Sequence, residues 1–202
     1  MTYDNTEENS ISPEKILSQK QINSILYSDP FLKAGFISKL VKDTNMNVLY
    51  LDLDLLYSGY VISGIIPSQK NIVLFQPTVD TISEMLTEIL AKSSISQSLI
   101  VIDSLNGLFN MLNHKKDVGK TVVSIIMLIF SMAQLTNSYV VIANMARYKK
   151  EEGWILSPTG KRLIETKNNK KILLEYGKGG IVIKNLDNSN RIFIPASLIP
   201  LV

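Results

Sequence analysis

Short apolar segments alternate with amphipathic segments along most of this chain, and this alternation restricts its fold more than any other feature. Segments typical of strands are Asn47 to Leu53, Asn71 to Phe75, Ser98 to Ile102 and Ser138 to Ala143. Between them, Thr78 to Lys92 carries apolar residues at the spacing of one helix face. Continuously apolar strands are typical of a parallel sheet covered by helices on both faces. The sequence therefore predicts a three-layer α/β fold with a mainly parallel sheet.

The pattern changes after Ala143 to short strand-like runs separated by turn residues. Such runs favour C-terminal antiparallel β-hairpins. We expect residues 1–10 to be a disordered acidic tail and residues 11–202 a single domain, with a parallel α/β core (11–146) and a β-meander (147–202). The helix Val118 to Leu135 is apolar on nearly all sides, which predicts a buried core helix. The C-terminal runs are Arg162 to Thr166, Lys171 to Tyr176, Gly180 to Lys184 and Arg191 to Ile194.

Composition removes several kinds of site. The 202 residues include no cysteine and one histidine, which excludes thiolate metal centres, disulfides and multi-histidine metal sites. The acidic N-terminus is unlike a signal peptide, and the apolar run from Val122 to Leu135 is shorter than the roughly 20 residues of a membrane span. We therefore expect a cytoplasmic protein without a membrane partner. We assign no role to the single histidine, His114.

Polar residues follow the ends of three predicted strands. Asp103 and Ser104 close one strand, Asp54 follows a second, and Asn144 follows a third. In a parallel α/β sheet, ligands bind beyond the carboxyl ends of the strands. A carboxylate there can hold a magnesium-bound water near a triphosphate. Alternatively, Asp103 caps the helix that follows it.

The order of four segments resembles the core of the RecA/RadA recombinase family. The segments are ILYSDPFLKAGF, VLYLDLD, LIVIDSLNGLF and YVVIANMAR, and the resemblance covers about residues 20 to 195. It implies a RecA-like ATPase core in which Asp103 matches the magnesium-linked aspartate and Ser104 its serine. Asp54 falls where the family has its catalytic glutamate, and Asn144 where it has a polar sensor.

The phosphate-binding loop departs from the family pattern G-x-x-x-x-G-K-[ST]. Both glycines are absent, Ala34 replaces the lysine, Gly35 replaces the hydroxyl residue, and Pro30 removes an N–H donor. Lys33 lies one position early, turned by about 100 degrees on a helix. We expect that ATP hydrolysis is lost and that no cofactor, ATP with magnesium included, is required. The remnant of the nucleotide site would consist of Ser28, Lys33, Ala34, Gly35, Asp54, Asp103, Ser104 and Asn144.

Basic residues are concentrated in two segments, although the net charge is only +3. Residues 147–184 hold ten basic and four acidic side chains, with Tyr148 and Trp154 among them. The resemblance implies DNA-binding loops near 147–154 and 113–120. The alternative is that these lysines are only solvated and that Trp154 is a buried anchor. The candidate nucleic-acid-binding residues are Lys115, Lys116, Lys120, Arg147, Lys149, Lys150, Lys161 and Arg162.

The leading hypothesis is a non-catalytic RecA/RadA paralogue that assists homologous recombination and DNA repair. It would bind DNA (single-stranded DNA favoured), a RadA-type recombinase or another RecA-like subunit, in a homo- or hetero-oligomer. A second hypothesis is a non-hydrolysing RecA-like scaffold or signalling subunit, similar to the tRNA-holding Elongator ring or to KaiC-like regulators. A third is an active ATPase with an unconventional phosphate loop.

Overall fold

The fold is that of a computed structural model, which describes residues 12–151, 153–156, 168–188 and 190–200. Its centre is a mixed, mostly parallel β-sheet. The strands run in the order β3-β2-β4-β5-β1-β7-β8-β9, with β6 paired to β5. Their bounds are β1 Ile22–Tyr27, β2 Asn47–Asp52, β3 Ile72–Phe75, β4 Ser98–Asp103, β5 Tyr139–Lys149, β6 Gly153–Leu156, β7 Asn169–Gly177, β8 Gly180–Asn185 and β9 Arg191–Pro195.

Helices connect the parallel strands. They are α1 Pro13–Ile16, α2 Pro30–Lys42, α3 Leu56–Ile62, α4 Ile82–Ser93, α5 Leu105–Met111 and α6 Val118–Leu135, and a 3-10 turn spans Ala196–Leu198. Helix α4 begins later than the apolar pattern predicts. Thr78 and Thr81 each accept a hydrogen bond from the other's backbone N–H through their hydroxyl groups, and this local bonding precedes the helix.

Alternate residues of each central strand enter two separate hydrophobic clusters. In β2, Tyr50 belongs to a cluster that contains Phe36 of α2, whereas Leu51 belongs to one that contains Ile89 of α4 and Ile126 of α6. Because successive strand residues point to opposite faces of a sheet, helices cover both faces of the central strands. The predicted parallel α/β architecture is confirmed in this coarse form.

Helix α6 is only half buried, so the expectation that it is buried on nearly all sides is wrong. Val122, Ile126 and Ile129 pack in the core, but Leu128 is 52% and Leu135 78% exposed. Within the described ranges, α6 is the one helix with the length and composition of a membrane span. Its packed face places it as a helix of a globular domain.

The C-terminal strands β7, β8 and β9 pair antiparallel, as predicted. The structure adds one pairing that the pattern does not indicate: β7 lies parallel to β1, with Ile25 opposite Ile172. The hairpin strands therefore extend the central sheet. The predicted tail (1–10) and the predicted strand from Arg162 to Thr166 lie outside the described residues.

Candidate functional site

The carboxyl ends of the parallel strands bring the predicted site residues to one edge of the sheet. Asp52 lies opposite Asp103, and the N–H of Leu53 donates to the carbonyl of Asp103 at 2.7 Å. Asn144 of β5 lies opposite Leu26 near the end of β1. The peptide bond between Asp103 and Ser104 is cis.

A buried ion pair occupies the centre of this edge. The Lys33 ammonium donates to both carboxylate oxygens of Asp103, with Nζ at 2.5 Å from Oδ1 and 2.7 Å from Oδ2. The Tyr50 hydroxyl donates to Oδ2 at 2.6 Å. Both charged side chains are 1% exposed. A buried charge needs a partner of opposite sign, and here each supplies the other's.

The position of Lys33 on α2 explains its inward direction. It lies three, four and seven residues before Phe36, Ile37 and Leu40, all of which are buried. Residues at these spacings share one helix face, so Lys33 faces the sheet. The ammonium also lies 5.3 Å from the centre of the Tyr27 ring.

Burial sets the proton affinities of these groups. Desolvation raises the pKa of Asp103, and the Lys33 charge together with the Lys33 and Tyr50 hydrogen bonds opposes that rise. Desolvation and the Asp103 charge raise the pKa of Tyr50 well above its usual value, so Tyr50 remains a hydrogen-bond donor. Burial and the nearby Asp103 and Asp54 charges raise the pKa of Tyr27 as well.

Ser104 and Asp54 form a second pair at this edge. The Ser104 hydroxyl donates to Asp54 Oδ2 at 2.6 Å and accepts from the N–H of Gly107 at 3.2 Å. Ser104 is therefore the N-cap of α5, and Asp103 is not, which settles the helix-cap alternative for that aspartate. A Cβ at position 107 would overlap the Asp54 carboxylate, so this close approach requires glycine.

The first turn of α2 is capped from within. The Asp29 carboxylate accepts from the N–H groups of Phe31 at 2.7 Å and Leu32 at 3.3 Å. Its other oxygen accepts from the Tyr176 hydroxyl at 2.9 Å, and the Lys33 N–H bonds the Asp29 carbonyl. Pro30 has no N–H. These N–H groups are the ones that bind phosphate at a helix N-terminus, and each already has an acceptor.

The remaining nucleotide-site candidates offer little to a ligand. Ala34 and Gly35 are buried in α2, and Ser28 is an exposed residue that precedes the helix. Asn144 is 1% exposed; its amide donates to the carbonyl of Ile142 at 3.0 Å, and its side-chain oxygen has no hydrogen-bond partner.

A magnesium triphosphate does not fit the residues present. The ammonium of Lys33 and the carboxylate of Asp103 bond each other, and the Asp29 carboxylate lies where a triphosphate would bring more negative charge. Among the described residues, no three histidine, aspartate or glutamate side chains lie together as a metal site. We derive no chemical step through a nucleotide.

Tyr50, Asp29 and Tyr176 complete the site, and the sequence did not single them out for it. Tyr50 looked like a half-buried amphipathic position, but it is completely buried. Its spacing held a usable signal, because Tyr50 and Asp52 share one face of β2 and Asp52 lies opposite Asp103. No spacing indicates Tyr176, which is 147 residues from Asp29.

The basic candidates lie on two exposed segments. Lys115 and Lys116 lie between α5 and α6, and Lys120 is in the first turn of α6, where it lies 3.8 Å from Asp117. Arg147 and Lys150 are exposed on the β5–β6 hairpin. The backbone of Lys149 lies in β5, and Lys161 and Arg162 lie outside the described residues.

Two aromatic residues lie opposite each other on this hairpin. Tyr148 pairs with Trp154, and their rings meet edge to face at 5.6 Å between centroids. Trp154 is half-buried against Leu26, Ala146 and Leu173, whereas Tyr148 is 63% exposed. Trp154 therefore anchors the hairpin, and Tyr148 presents the ring that solvent can reach.

No protein-family model and no curated protein matches this chain.

Proposed function

We propose that this protein is a RecA/RadA-like paralogue that does not hydrolyse ATP and that acts by binding single-stranded DNA, a RadA-type recombinase, or both. The buried Lys33–Asp103 pair carries the proposal, because it uses the cation and the carboxylate that a nucleotide site would need. Loss of hydrolysis leaves binding as the function of the fold.

The arrangement of the strand ends supports the RecA-like assignment. The four segments that resemble the family form β1 with the start of α2, β2, β4 and β5, which are parallel neighbours apart from α2. Their terminal residues Asp54, Asp103 and Asn144 lie at the same edge. We place the protein in the cytoplasm on the sequence expectation alone.

The exposed charges support a nucleic-acid interface near that edge. Helix α6 leads to the start of β5, a strand parallel to β4, so its N-terminal end lies toward the carboxyl ends of the strands. Lys115 and Lys116 precede that end, and β5 carries Arg147 beyond Asn144. Basic side chains neutralise phosphates, and an exposed ring such as that of Tyr148 can stack on an unpaired base.

A binding assay with a salt titration tests this function. We expect fluorescence anisotropy to show binding to single-stranded DNA in preference to duplex DNA and tRNA. Replacing Arg147 and Lys150 by alanine should weaken binding to all sequences and flatten its dependence on salt by about one unit of log–log slope per phosphate contact. Lys42→Ala, an exposed lysine at the far end of α2, is the matched control.

The same assay separates the alternatives. A preference for tRNA, or no nucleic-acid binding with capture of a RecA-like subunit, would favour the scaffold hypothesis. An unchanged isotherm for the double alanine variant would remove the hairpin from the interface.

A further inference from the structure

The outer face of α6 carries a regular stripe that contacts no other described element. Thr121, Ser124, Leu128, Ser131 and Leu135 make up this α6 stripe. Thr121 is half-buried, and the other four are exposed. The steps between them alternate between three and four residues, which is the spacing of a helix face that packs along a second helix.

The α6 stripe and its borders carry no charge. The segment from Thr121 to Leu135 contains no acidic, basic or histidine residue. The half-buried side chains of Ile125, Met127 and Met132 border the stripe. The Ser131 hydroxyl donates to the carbonyl of Met127 at 2.7 Å, so its donor is satisfied before any partner binds. Covering this face buries apolar surface without stranding a charge.

We propose that the α6 stripe binds the α6 stripe of a second copy of this chain, in an antiparallel helix pair about a twofold axis. Such an interface uses the same surface on both copies. In this orientation Leu128 lies against Ser131 of the second copy, and Leu135 against Ser124. Each layer then combines one large and one small side chain, and the stripe is complementary to itself in size and in its lack of charge.

The end of α4 extends this surface. The Thr136 hydroxyl donates to the carbonyl of Ser93 at 3.1 Å, which joins the C-terminal ends of α6 and α4. Ile95, two residues further, is 82% exposed. It enlarges the apolar area beside Leu135. The inference concerns a face of the molecule that the proposed DNA contacts do not use.

The oligomeric state of the full chain tests the proposal. Sedimentation equilibrium should give a dimer for the wild type and a monomer for Leu128→Glu and Leu135→Glu. Both leucines are exposed, so circular dichroism should show that these variants stay folded. Ile62→Glu, on α3 at a residue that is 86% exposed, is the matched control and should remain dimeric. A monomeric wild type overturns the proposal, and binding of that monomer to phosphatidylcholine vesicles would assign the stripe to a membrane.

Cross-linking tests the antiparallel register. The chain has no cysteine, so introduced thiols are the only ones present. A disulfide requires Cβ atoms about 3.5–4.5 Å apart. A mixture of the Leu128→Cys and Ser131→Cys proteins should cross-link faster than either protein alone. Equal rates in the mixture and in the separate proteins would contradict this register.

Discussion

Lys33 directs its ammonium group into the protein, where Asp103 and Tyr50 bind it. The cation that charge balance requires beside Asp103 is therefore a side chain of the same chain. A one-residue offset from the family pattern produces this result, because the helix turns position 33 toward the sheet. The sequence predicted that Lys33 could not replace the missing lysine of the phosphate loop, but it did not predict this bond. Spacing gives the helix face, whereas the length of the side chain decides what it reaches.

A double-mutant cycle measures this pair. Asp103→Asn should lower the free energy of unfolding by about 3–5 kcal/mol, because it leaves the Lys33 charge buried without a partner. Lys33→Met should be destabilising for the corresponding reason. The double variant should lose less stability than the sum of the single losses, by about 1–3 kcal/mol in urea unfolding.

The exposed pair Lys92–Glu88 is the control for that cycle. Its side chains are 42% and 53% exposed, so Lys92→Met with Glu88→Gln should couple by only about 0.3–0.5 kcal/mol. Additive losses at Lys33 and Asp103 would mean that the ion pair does not form in solution.

At the scale of elements, α2 depends on a cap that also closes its N-terminus to anions. Asp29 accepts two backbone N–H bonds and one from Tyr176, which ties the helix to β7. We expect Asp29→Ala to lower the free energy of unfolding by about 0.5–2 kcal/mol, whereas Asp29→Asn, an equally good cap, should be close to wild type. Equal losses in the two variants, measured by thermal unfolding, would show that the carboxylate charge and not the cap stabilises α2.

The elements differ in how far the sequence predicts them. The strands of the core follow from their apolar runs, because a strand covered on both faces has no polar side. The exposed face of α6 does not follow, since Leu128 and Leu135 have the composition of core residues. The parallel pairing of β7 with β1 could not be predicted either, because pairing across so many residues leaves no local signal.

At the scale of the whole molecule, the parallel sheet places three functions on separate surfaces. The closed nucleotide-site remnant lies at the carboxyl edge, the basic hairpin extends from β5, and the α6 stripe covers part of one helical layer. The meeting of Asp54, Asp103 and Asn144 could be predicted, because the ends of parallel strands share an edge. The bonds that close the site could not, since Tyr50 and Tyr176 approach it from different parts of the chain.

Isothermal titration of magnesium ATP into the wild-type protein tests the central claim most directly. The N–H groups, the ammonium and the carboxylate of the site are bonded to one another, so we predict no saturable binding. Saturable ATP binding that is lost in Lys33→Ala, with the variant still folded, would contradict the account.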